Sequence, residues 1–133
     1  MKKIESQEKS RYFDLNTDRN SIRCKLYIND NKDVKKVVLF GHGFGGHKDN
    51  RAAARFAERA LEKNEDAAVV SFDWPCHGDD DKETLCLEDC TAYLQEVGSH
   101  VKSRFAAAEI YGYATSFGGY LFLKYISENK ILS

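Results

Sequence analysis

Two alternating stretches open the patterned part of the chain. Residues 11–15 and 22–28 each alternate apolar with polar or charged side chains, with Tyr12 and Tyr27 among the intervening positions. A period of two predicts half-exposed strands, and the polar run 16–20 between them reads as a turn, so a hairpin at a sheet edge is expected. The run 29–33, Asn-Asp-Asn-Lys-Asp, is a second polar turn. Val37-Val38-Leu39-Phe40 then runs without a polar residue, as a strand covered on both faces does. Over 51–63, Ala53, Phe56, Ala57, Ala60 and Leu61 make one helical stripe, and 67–72 is another covered strand. Leu87, Cys90, Leu94, Val97, Val101 and Phe105 recur every three or four residues, the spacing of a long amphipathic helix. A strand over 109–113 and a helix over 118–128 follow.

Strand and helix thus alternate three times after the hairpin, the order of an α/β fold with a mainly parallel sheet and crossover helices. With 133 residues the chain reads as a single domain, large enough to remove roughly two-thirds of its unfolded surface from water. Residues 1–9 are polar and are expected to be disordered. Hydrophobic residues make up 42% and charged ones 31%, and the net charge of -1 supplies no field that would gather nucleic acid or an anionic membrane. Lys2 and Lys3 are followed by polar residues where a signal peptide needs an apolar core, and no run reaches membrane-spanning length. A cytoplasmic protein is expected, its four cysteines reduced. Cys76-His77 and Cys86-x-x-x-Cys90 lack the Cys-x-x-Cys knuckles of a zinc site, so these cysteines read as small hydrophobes and no metal is expected.

Two loops carry candidate chemistry. Gly41-His42-Gly43-Phe44-Gly45-Gly46 follows a strand and fits the G-x-G-x-x-G of a dinucleotide-binding turn, with Asp73 at the end of the next strand as a ribose ligand. Against that reading, His47 to Asn50 separate the glycines from the helix, whereas a pyrophosphate needs the helix N-terminus at the glycines. The other reading is an oxyanion loop, whose glycines let backbone N–H groups approach a carbonyl oxygen on which negative charge develops. Ala114-Thr115-Ser116-Phe117-Gly118 supports it. Small-x-Ser-x-Gly at a strand-to-helix junction is the form of a nucleophile elbow, where flanking side chains must be small. Asp79-Asp80-Asp81 reads as a solvated loop before a helix N-terminus, and Tyr111 and Tyr113 as strand packing. Phe44 and Trp74 read either as walls of an acyl pocket or as core. His100 reads as a solvated helix residue.

Together these motifs resemble the α/β-hydrolase superfamily of serine esterases and lipases. His42-Gly43-Phe44-Gly45-Gly46 resembles its oxyanion strand-end, Asp73-Trp74-Pro75-Cys76-His77-Gly78-Asp79 its Asp-x-x-G-H-G-x-S loop, and 114–119 its elbow, in family order from about 35 to 126. Ala114, Cys76 and Asp80 depart from the commoner glycine, glycine and serine. The resemblance implies Ser116 as nucleophile, the Phe44 and Phe117 amides as oxyanion donors, His42 and His77 as loop-ordering residues, a small-molecule ester as substrate and no cofactor. The family's acid and histidine follow the elbow, yet 117–133 holds Glu128 and no histidine. The chain is therefore expected to be the N-terminal half of such a fold with little or no turnover, and to leave strand 109–113 as an open edge through which copies associate into an oligomer. A non-catalytic α/β binding module and a dinucleotide-binding domain stay open as alternatives.

Overall fold

The computed structural model describes residues 10–29 and 33–129. The expected disorder of 1–9 and the middle of the polar turn 29–33 lie outside the described residues. Strands β1 (Ser10–Asn16) and β2 (Ser21–Ile28) are followed by β3 (Lys36–Gly41), α1 (Arg51–Lys63), β4 (Ala67–Phe72), α2 (Leu87–Arg104), β5 (Glu109–Ala114) and α3 (Phe117–Asn129). One sheet runs in the order β1-β2-β4-β3-β5. The β3, β4 and β5 strands are parallel, while β1 and β2 form the expected hairpin and join β4 antiparallel. The sheet is thus mixed, three parallel strands extended by a hairpin at one edge, and β5 closes the other edge.

Strands β3 and β4 carry apolar side chains on both faces because each face has its own helix layer. On one face Val37, Leu39, Ala68, Val70 and Phe72 pack with Cys90, Leu94, Val97 and Val101 of α2 and Leu121, Phe122 and Tyr125 of α3. On the other, Tyr27, Phe40, Ala67 and Val69 meet Ala53, Ala57 and Leu61 of α1. Helix α1 starts where Asn50 caps it, its side-chain oxygen accepting from the Ala53 N–H at 2.7 Å. That cap keeps the helix N-terminus away from the glycines of 41–46, the placement a pyrophosphate site does not allow. Helix α2 has no side-chain cap; Glu88 and Asp89 in its first turn and Lys102 and Arg104 in its last complement its dipole. Among the described residues no helix is long and apolar enough to cross a membrane.

One helix residue departs from expectation. His100 is half-buried with its ring stacked on Phe13 of β1 at 5.1 Å, because α2 crosses behind the hairpin; it is not solvated.

Candidate active site

Strand β5 ends at Ala114, and the chain reverses through Thr115 and Ser116 directly into α3. Ser116 has φ 52°, a left-handed conformation that a residue with a Cβ rarely adopts. Such strain persists only where the surroundings enforce it. Gly118 is the enforcing position: a Cβ built there would lie 2.7 Å from the carbonyl oxygens of both Gly41 and His42. Only glycine lets the first turn of α3 rest against the end of β3. The Gly118 N–H closes the turn on Thr115 O at 3.0 Å, and the Tyr120 N–H reaches Ser116 O at 3.1 Å.

The glycine loop of 41–46 meets this turn. A Cβ on Gly43 would stand 3.6 Å from the Ser116 Cβ and from Thr115 O, so the loop passes beside the serine with room for little more than a β-carbon between them. Beyond it Gly45 has φ 81°, and the Gly46 N–H returns to Gly43 O at 3.0 Å. Phe44 projects into solvent at 72% exposure, edge-on to His77 and to Phe117. Among the described residues no hydrogen bond engages the N–H of Phe44, and the N–H of Phe117, in the first turn of α3, has no intrahelical acceptor.

Two histidines hold the loop. His42 is fully buried; its Nε2 accepts the Trp74 N–H at 3.2 Å, which leaves Nδ1 to carry the proton and donate to Gly43 O at 2.7 Å. Burial pushes its pKa down to about 4, so the ring is neutral near pH 7. The His77 Nε2 accepts the Gly45 N–H at 3.0 Å, and its Nδ1 donates to Pro75 O at 3.0 Å. In both rings the unprotonated nitrogen is occupied by a backbone donor. Neither has a lone pair free to take a proton from Ser116.

Asp73 sits beneath the same loops rather than facing a ligand. It is fully buried and accepts the Lys48 N–H at 2.7 Å, the Lys48 ammonium at 2.9 Å and the Asp79 N–H at 3.0 Å. Burial opposes a charged Lys48, but hydrogen bonds from its ammonium to Asp79 and Asp73 outweigh this and raise its pKa. The Asp73 carboxylate also explains Gly78, φ 57°, where a Cβ would overlap the carboxylate. Fully buried and already accepting three hydrogen bonds from this chain, Asp73 presents no oxygen to a ribose. The dinucleotide reading therefore loses both its phosphate and its ribose contacts.

The acidic run after Gly78 is similarly tied down. Asp79 reaches Lys48, Asp80 accepts the Cys76 N–H at 2.9 Å and the Tyr93 hydroxyl, and Asp81 pairs with Arg23 at 3.2 Å. These carboxylates fasten the loop to β2 and α2, a role that a solvated-loop reading does not contain. Of the two aromatic wall residues, Trp74 belongs to the core: it is fully buried, donates from Nε1 to His42 O at 2.9 Å and packs edge-on to Phe72. Lys48 is the residue that sequence reading missed, since a lysine in a polar loop carries no sign of burial. Among the described residues no group of three His, Cys, Asp or Glu side chains could hold a metal ion.

Comparison with known proteins places this geometry. The sequence profile of the alpha/beta hydrolase family matches residues 27–131. No curated protein sequence matches the chain. Among solved structures, Est1E from Butyrivibrio proteoclasticus with ferulic acid bound superposes with a TM-score of 0.80 at 20% identity, over 90% of this chain and 49% of that one. An alpha-beta serine hydrolase homologue from Coxiella burnetii gives 0.76 at 16% identity, over 90% of this chain and 58% of the other. An esterase from Pyrococcus furiosus gives 0.75 at 17% identity, over 91% and 47%. The chain spans about half the length of these structures.

Proposed function

The chain belongs to the alpha/beta hydrolase family, and on that premise we propose that it carries the nucleophile and oxyanion half of a serine ester hydrolase. The observation that supports this most is the meeting of two loops: Ser116 at φ 52° on a strand-to-helix turn, with Gly43 so near that a Cβ on it would stand 3.6 Å from the Ser116 Cβ. In the proposed reaction the Ser116 Oγ attacks the carbonyl carbon of a small-molecule ester. The carbonyl oxygen takes the negative charge and receives the N–H groups of Phe44 and Phe117, each such donor being worth roughly 3–4 kcal/mol of transition-state stabilisation. The alcohol leaves with a proton, and water then releases the acid from the acyl-serine. No cofactor enters this sequence.

A serine hydroxyl needs a base, and the chain's four histidines do not offer one. His42 and His77 are committed to the loops, His100 stacks on Phe13, and His47 accepts the Asp49 N–H at 3.1 Å on the loop beyond Gly46. A base and acid partner of the family's kind are then not supplied by these histidines, and little or no turnover is expected of the 133 residues alone. The same reading includes a reducing, cytoplasmic setting for the four free cysteines and self-association at the open edge of β5, residues 109–113. The test is hydrolysis of p-nitrophenyl acetate by the 133-residue chain and its Ser116→Ala variant, with fluorophosphonate labelling alongside. Slow labelling confined to Ser116 and near-background hydrolysis are expected. Robust hydrolysis abolished by Ser116→Ala would overturn the missing-base argument, and no labelling at Ser116 even after prolonged exposure would favour a non-catalytic binding module.

A further inference from the structure

Helices α2 and α3 lie on the same face of the sheet and leave a cavity of about 100 Å³ between them. Its floor is Leu39 of β3 with Ile110 and Gly112 of β5. Leu94 and Gly98 of α2 form one wall, Phe122 and Tyr125 of α3 the other. Gly119, Leu123 and Ile126 of α3, which overlook the unpaired side of β5, take no part in it. The cavity is therefore bounded by β3, β5, α2 and α3 and does not depend on what covers that side. Its width has a physical origin. A Cβ on Gly41 or Gly112 would stand 2.7 or 2.8 Å from carbons of the Phe122 ring, so these glycines let the ring settle down onto the sheet. Across the gap, a Cβ on Gly98 would meet nothing within 4 Å. Such a void forfeits the contacts its lining would make with a filling group, and an apolar cavity of about 150 Å³ is enough to take up benzene.

The rim specifies the occupant. It is formed by the exposed Gln95, Ser99 and Lys102 of α2, and no carboxylate lines the cavity. Among the described residues Lys102 enters no ion pair, and the side chains of Gln95 and Ser99 form no hydrogen bond. An apolar slot under one unpaired cation and two neutral donors suits an amphiphile with a single negative charge. From this the geometry points to a binding site for a short-chain aliphatic carboxylate. A chain of about four to six carbons fills the space in front of Gly98, and the carboxylate meets the Lys102 ammonium, the Ser99 hydroxyl and the Gln95 amide. A phosphate ester would bring two charges to one cation, and an amine would meet a like charge. Ile110 stands four residues before Ala114, about 13 Å of strand. The site is thus separate from the elbow and depends on no chemistry at Ser116.

Calorimetric titration of the 133-residue chain at pH 7 with butyrate, pentanoate and hexanoate tests this. Each added methylene should tighten binding about fourfold. Hexan-1-ol, with the same chain and no charge, should bind about fivefold more weakly than hexanoate. Gly98→Leu places a side chain in the cavity; it should keep its circular dichroism, melt no lower than the wild type and lose hexanoate binding. Lys102→Gln, on the exposed rim, should weaken hexanoate about fivefold and leave hexan-1-ol unchanged, and it keeps the proposal testable should Gly98→Leu fail to fold. The site is overturned by an absence of saturable hexanoate binding, by equal affinities for hexanoate and hexan-1-ol, or by hexanoate binding that Lys102→Gln leaves unaltered. A folded Gly98→Leu variant that still binds hexanoate as the wild type does would place the ligand elsewhere and overturn it too.

Discussion

Replacing Lys48 by methionine isolates the interaction on which the loops around Ser116 rest. Lys48 is 2% exposed and Asp73 is 0% exposed, with the ammonium 2.9 Å from the carboxylate. Methionine keeps the aliphatic stem and removes the charge. Breaking a buried pair from one side costs about 3–5 kcal/mol, because the remaining ion is left buried without its partner. Here Asp73 retains two backbone donors, the N–H groups of residues 48 and 79, which places the loss near the lower limit, about 3 kcal/mol. The two other acidic partners of Lys48 add less: Asp79 has a side chain 72% exposed, and Asp49 lies 3.5 Å away with a side chain 32% exposed. Against a total stability of roughly 5–15 kcal/mol, such a loss shifts the folded-to-unfolded ratio by more than a hundredfold. For a domain of this size it lowers the melting temperature by about 10 °C. Urea unfolding of the wild type, Lys48→Met, Asp73→Asn and the double variant measures it. The double variant should regain part of the single-variant loss, since it no longer buries an unpaired charge. A loss below about 1 kcal/mol for Lys48→Met, or a double variant whose loss is the sum of the two singles, would refute the reasoning.

Three further outcomes follow from named contacts. His42, with a pKa near 4 in the folded chain against about 6.5 unfolded, contributes stability that is intact above pH 6.5. That stability is lost as pH falls towards 4, by about 3 kcal/mol in all; an NMR titration of the ring giving an ordinary value would contradict this. Gly118→Ala forces a methyl against two backbone carbonyls, so it should destabilise by about 1–3 kcal/mol in urea and slow fluorophosphonate labelling of Ser116 by moving α3. Gly98 lies inside α2, and a Cβ there would meet nothing within 4 Å. Gly98→Ala should therefore stabilise by about 0.5–1 kcal/mol, read as a higher thermal midpoint.

Much of the fold was legible because its signals are local. The alternation in 11–15 and 22–28 and the stripe of α2 follow from repeats of two and 3.6 residues, the short apolar runs of β3 and β4 from burial on both faces, and each became the element so predicted. The elbow was legible as a local pattern, small-x-Ser-x-Gly, although the contact that demands glycine at 118 comes from the distant Gly41 and His42 carbonyls. What the loops do was not legible. Lys48 and Asp73 are 25 positions apart, Gly45 and His77 are 32, and Arg23 and Asp81 are 58. No spacing rule connects such pairs. They meet because the sheet order β1-β2-β4-β3-β5 sets the ends of β3, β4 and β5 side by side, and that order depends on packing summed over the whole core. The same order puts Trp74 under the loop instead of in a pocket wall and uses the lone pairs of His42 and His77. By itself the sequence determined which segments are strands and helices and which serine is strained. Only the tertiary structure decided which polar groups are spent on holding the site, since burial and the choice of partner exist only once the strands are ordered.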